Sequence, residues 1–139
     1  MNEKAENFLL HAISDDWTPL SEFDVILSTL QPEDYSRAFV LDAIRQFGER
    51  GWIRFGSFTG PGNAWTPWDI SVQQAISRVA DGYEGRVGYL HMDPVEVDRS
   101  EILRAEITEA GLERLRQLGD PYDNYGDPWA DDPLSRADP

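Results

Sequence analysis

The chain has no cysteine. That single absence excludes disulfides, cysteine-ligated zinc, iron–sulfur clusters and thiol nucleophiles, and it favours a reducing compartment. Histidine is scarce. His11 and His91 stand far apart in sequence, a poor basis for a metal centre or an acid–base pair. Each is expected to be structural. Lysine occurs once, against eleven arginines, the usage of a GC-rich bacterial coding sequence. No apolar run approaches the ~18 residues that span a bilayer. The opening MNEKAENFLLHAISDD lacks the apolar core of a signal peptide. A cytoplasmic protein without membrane contact is expected. Gly-x-Ser-x-Gly is missing, and the glycines at 56, 60 and 62 are interrupted by Pro61 with no Lys-Ser/Thr after them. Neither an enzyme nor a bound cofactor or metal is expected.

What is present is acid and aromatic surface. The 139 residues carry 26 acidic and 12 basic side chains, for a formal charge of −14. Such a surface repels phosphate backbones and anionic membranes unless its few cations gather on one face. Five Trp, five Tyr and six Phe within a 40% apolar composition can fill the core of one domain. Residues 119–139 hold six Asp and one Arg, which gives that stretch −5 and leaves −9 for residues 1–118. This tail, with four prolines, is expected to be disordered although it contains Tyr122, Tyr125 and Trp129.

Local patterns place the elements. Phe8, Leu9, Ala12 and Ile13 predict a helix over residues 3–13. A second helix has Thr18 as N-cap, Pro19 at its first position, and Leu20, Phe23, Ile26, Leu27 and Leu30 on one face. A third starts near Glu33 and Asp34, with Ala38, Val40, Leu41, Ile44 and Phe47 inward and Gly48 or Gly51 as terminator. Residues 51–58 predict a strand, and residues 59–63 a turn. Asp69 or Ser71 caps a fourth helix ending at Asp81-Gly82, and residues 86–91 predict a short strand. Alternation of Leu103, Ala105 and Ile107 with Arg104 and Glu106 predicts a half-buried strand. Thr108 then caps a last helix over 109–118.

Three helices, a strand, and a strand running into a helix follow the order of a bacterial winged helix-turn-helix domain. The segment ILRAEITEAGLERLRQL (102–118) resembles that family's second wing strand and following helix, with Ile107, Thr108, Gly111 and Leu115 in its Leu-Thr-x-x-Gly-x-x-x-Leu pattern. The segment DAIRQFGERGWIRFG (42–56) resembles the recognition helix and first wing strand. The resemblance covers residues 7–58 and 100–118. It implies an α+β, winged-helix-like domain over 1–118, with a small antiparallel sheet. Residues 59–99, including a predicted helix, form an insertion within the wing.

Two functions from different classes follow. The first is a non-enzymatic, acidic protein-binding module that docks a basic partner, similar in gross features to immunity proteins or antitoxins. Trp65, Trp68, Glu96, Asp98 and Glu101 are its candidate surface, through charge steering and aromatic anchoring. Trp17 is expected to pack between the first two helices. The second function, implied by the resemblance, is a DNA-binding transcription regulator. Its candidates are Arg37, Arg45, Arg50 and Arg54, with Arg99 and Arg104 on the wing. Over residues 33–54, however, Glu33, Asp34, Asp42 and Glu49 balance four arginines. A monomer or a homodimer is expected, and the regulator reading implies dimerisation through the first and last helices. The Asp15-Asp16 and Glu33-Asp34 pairs are read as acids at helix starts.

Overall fold

Helix α1 (Glu3–Asp15) starts where the Asn2 side chain accepts a hydrogen bond from the Ala5 amide. Its face of Ala5, Phe8, Leu9, Leu10 and Ile13 is buried. Asp15 is its last residue and Asp16 its C-cap. The acidic pair therefore sits at the negative end of the helix dipole, the reverse of the placement expected from sequence. Thr18 does not cap a helix either. Thr18 and Pro19 form strand β1 (Thr18–Pro19), and helix α2 (Leu20–Leu30) begins without a side-chain cap. Its inward stripe of Leu20, Phe23, Ile26 and Leu27 is as the spacing predicts. Helix α3 (Arg37–Glu49) starts later than expected, at Ser36, whose hydroxyl accepts from the Phe39 amide. Val40, Leu41, Ile44 and Phe47 are buried in it. Ala38 is exposed, and Gly48 lies inside the helix.

The expected strand over 51–58 is split into β2 (Ile53–Arg54) and β3 (Gly56–Ser57). The split falls at Phe55, which turns inward to pack beneath Trp68. β3 pairs with β4 (Thr66–Pro67), so the chain folds back across residues 58–65. Helix α4 (Val72–Asp81) carries the Ser71 capping box with Gln74. A small hairpin joins β5 (Gly82–Tyr83) and β6 (Arg86–Val87). The expected strand over 86–91 stops there, because Tyr89 dives into the core and 89–91 becomes a 3₁₀ turn. A helix not anticipated from sequence, α5 (Pro94–Arg99), follows an Asp93–Glu96 capping box.

Strand β7 (Arg104–Ile107) holds the sheet together. Thr18 pairs with Ala105 on one side and Ile53 with Ile107 on the other, both antiparallel, giving the order β1-β7-β2. Helix α6 (Glu109–Leu118) begins at the expected Thr108 cap, whose hydroxyl accepts from the Gly111 amide. The glycine there is steric: a Cβ on Gly111 would lie 2.4 Å from the Trp52 carbonyl oxygen. The mixed helix-and-sheet class is as expected, with small antiparallel sheets beside the helices α1 to α6 and a short α7 (Pro121–Tyr125) among the described residues.

The computed structural model describes residues 1–130. Within them the tail departs from expectation. Residues 119–130 pack on α1: Phe8 meets the rings of Tyr122, Tyr125 and Trp129, at 5.2, 6.2 and 6.5 Å between centroids. The buried Asn7 amide donates to the Gly119 carbonyl (2.9 Å) and accepts from the Asn124 amide (3.0 Å). Apolar rings and a satisfied buried amide outweigh the local acidity. Residues 131–139 of the expected disordered tail lie outside the described residues.

Candidate interaction surfaces

Five of the six arginines assigned to DNA are engaged by groups of the chain itself. Arg37, first in α3, lies 5.1 Å from the Tyr89 ring centroid and donates to the Tyr89 carbonyl. Tyr89 has no solvent exposure, and its phenol donates to Asp24 of α2, which also accepts from Tyr35 (2.7 Å). Burial first, then the Asp24 carboxylate, holds the Tyr89 phenol far above its ordinary pKa. One insertion residue thus ties α2 and α3 together, while α4 packs along α3 with Val72 against Gly48.

Farther along α3, Arg45 is held between Asp42 and Glu49. Hydrogen bonds from Arg45 and Gln46 keep the Asp42 carboxyl below the usual carboxylate range. Arg50 reaches Glu6 of α1 at 3.3 Å, and Arg114 meets the same carboxylate at 2.8 Å. Both guanidiniums also face Trp52. Arg54 pairs with Glu106 across β2 and β7, and Arg104 pairs with Glu101. Among the described residues Arg99 alone of the cations has neither an acceptor nor a ring beside it. It is exposed on α5.

Most of the candidate protein-binding residues also make contacts within the chain. Trp68 stacks on Phe55 (centroids 6.4 Å apart), meets Tyr83 edge-on (5.4 Å), and donates to the Ser57 hydroxyl. Arg78 covers both rings, at 5.2 and 4.8 Å. It is therefore a core anchor of the insertion. Trp65 donates to the Arg104 carbonyl (2.9 Å) and lies against Gly56, where a Cβ would come within 2.5 Å of the indole. Glu96 closes the α5 capping box, and Glu101 is engaged by Arg104. Asp98 is exposed.

No family model, curated protein or solved structure matches the chain. What the surface offers must be read from its own geometry.

A groove of about 660 Å³ runs beside α1 and α2. Ala12, Ile26, Val25, Trp17, Tyr122 and Trp129 supply its apolar lining. Trp17 was expected between the helices. Instead it lies outward, 38% exposed, stacked on Trp65 at 6.0 Å and edge-on to Phe58. Val25 is 45% exposed and Tyr122 39%. Asp15, Asp16 and Glu22 line the same groove. Among the described residues, neither the Asp15 nor the Glu22 side chain has a hydrogen-bonding or ion-pair partner. Sequence reading missed this site. A signal existed: Val25 is an apolar residue off the inward stripe of α2, and Trp17 adjoins two acids.

A second hollow, about 380 Å³, is lined by Val87, Met92, Val95 and Ile102, with Arg86, Arg99, Glu96 and Glu101 among its charged residues. Among the described residues no cluster of three metal-ligating side chains occurs, and no helix is long and apolar enough to cross a membrane.

Proposed function

We propose that the chain is a non-enzymatic, cytoplasmic protein-binding module built on a winged-helix-like body, whose acidic surface docks a basic protein. A neutraliser of a cationic partner, in the manner of an immunity protein or antitoxin, fits this reading. The order α1-β1-α2-α3-β2, with β7 leading into α6, supports the winged-helix description. The observation that carries the functional reading is the state of the cations. All but Arg99 in the described residues are held by carboxylates, carbonyls or rings of the same body. A phosphate backbone would have to compete for arginines that are already engaged, whereas a basic partner meets carboxylates that are not.

The competing reading, a DNA-binding regulator, is tested side by side with it. The immobilised full chain is exposed to extract of the cell that encodes it, and separately to duplex DNA from upstream of its own gene at low ionic strength. A saturable complex with a basic protein, dissociated by salt, is expected, together with no retention of the duplex. Retention of the duplex without a basic protein partner would overturn the proposal.

A further inference from the structure

We infer that the basic partner docks in the groove beside α1 and α2, through a segment in which aliphatic side chains sit between Lys or Arg residues. This rests on the protein-binding reading above and gives it a place.

Three observations converge on that groove. Its lining combines polar groups with exposed apolar ones: Trp17, Val25 and Tyr122 present large side chains to solvent near Ala12 and the buried Ile26. Exposed apolar side chains next to one another mark an association surface, and aromatic anchors concentrate binding energy. Its carboxylates are only partly compensated. The Asp15 and Glu22 side chains are unpaired among the described residues, while the Asp16 carboxylate accepts from the Trp17 amide and interacts with Arg104.

The third observation is placement. Asp15 and Asp16 close α1, which has no basic residue in its last turn. Carboxylates at that end oppose the helix dipole, so they are disfavoured in the free protein. A cation from a partner would neutralise both the carboxylates and the dipole end. Arg104, which also lines the groove, pairs with Glu101 and interacts with Asp16 as well, so the groove sets one arginine against three carboxylates and keeps an acidic excess. His11, also in the lining, stands edge-on to Tyr122 at 5.4 Å. The insertion hollow is the weaker candidate, because Arg86 and Arg99 in its lining balance Glu96 and Glu101, whereas the groove has an excess of carboxylates.

The test uses the full chain and a synthetic peptide alternating leucine with lysine. An oligolysine of equal charge serves as control. Titrations are followed by backbone and indole amide NMR. The expected result is saturable binding with shifts centred on Trp17, Val25 and Tyr122, and weaker, diffuse binding of the oligolysine. D15N/E22Q should weaken the peptide about tenfold, whereas E96Q/D98N, the same charge change on the insertion, should weaken it less than about twofold. Val25→Lys, on an exposed position, should also block the groove while leaving the fold intact by circular dichroism.

Equal effects of the two double variants would overturn the groove but leave general acidic recognition standing. Shifts centred on Val87 and Val95 would also overturn it. Failure of the peptide to bind would reject the groove outright, and failure of extract capture as well would reject the parent reading.

Discussion

The outer face of α3 and the groove beside α1 and α2 carry similar residue types in opposite states. On α3, Asp42 and Glu49 sit within one helix and share Arg45 between them. The insertion lies along the same helix and is pinned to it through Tyr89 and Arg37. At the groove, three carboxylates stand beside exposed rings and only Arg104 faces them among the arginines and lysine of the described residues. The formal charge of −14 is therefore a poor guide to recognition taken as a sum. What distinguishes the two faces is which charges already have partners. Paired surface charges contribute little to stability or to binding, while unpaired ones set the field that a partner meets.

The contrast can be broken most forcefully at Tyr89. Tyr89→Ala removes a fully buried ring together with its bond to Asp24. A loss of about 3–5 kcal/mol is expected in urea unfolding. Faster amide exchange should follow in α3 and α4 before it appears in α1. Equal exchange in all three helices would mean that the insertion does not hold α3.

Glu6→Ala comes next. The Glu6 side chain is only 9% exposed and receives both Arg50 and Arg114. Because both arginines reach solvent, a loss of about 1–3 kcal/mol is expected by thermal or urea unfolding. Freed Arg50 should also make the α3 end of the molecule more cationic. Any gain of duplex retention by this variant would measure how far internal pairing suppresses nucleic-acid contact.

A third prediction concerns alkaline pH. The Tyr89 phenol has a pKa raised in the folded state by burial and by Asp24. Its contribution to stability is therefore complete below the unfolded tyrosine pKa and is lost as pH rises beyond it. The wild-type midpoint should fall above about pH 10, the ordinary tyrosine value. Tyr89→Phe should start lower and fall less steeply, in a pH series of thermal melts. Tyr35 shifts in the same direction, so a residual slope is expected in the variant.

The smallest effect belongs to Asp42→Asn. Arg45 and Gln46 lower the Asp42 pKa. The carboxylate therefore stabilises the fold above its unfolded pKa, and that contribution disappears as pH falls through the folded value. The pairing is solvent-exposed, so the loss near neutral pH should be below about 0.5 kcal/mol. A larger change would mean that the α3 network supports more than its own helix.

Much of the scaffold was legible where the determining forces are local. The α2 stripe, the Ser71 and Thr108 caps, the β7 alternation and the full extent of α6 are set by residues within a few positions of one another. The Asp93–Glu96 box of α5 was equally local, with Pro94 as a further start signal, and was readable although overlooked. Thr18 was not readable, because its role comes from pairing with Ala105 rather than from its neighbours. Tyr122 and Trp129 were visible only as aromatics among aspartates; their order depends on Phe8 and Asn7 at the other end of the chain. The candidate tryptophans fared differently for a related reason. Trp68 finds Phe55 and Tyr83, while Trp17, assigned to the interior, meets Trp65 at the surface. Sequence indicates that such rings need cover, but not which ring receives it.

The central position of β7 also has a consequence for how the protein is made. Its two edge strands, at Thr18–Pro19 and Ile53–Arg54, are synthesised long before the strand that joins them. While the nascent chain lengthens, α1, α2 and α3 can acquire helical structure, but the three-stranded sheet has no middle. Closure must wait for Arg104–Ile107 to leave the ribosome, and only then can Gly111 settle against the Trp52 carbonyl. Sheet formation is thus a late, nearly whole-chain event governed by long-range contacts. A chain halted before residue 104 would lack every pairing of this sheet, however intact its helices.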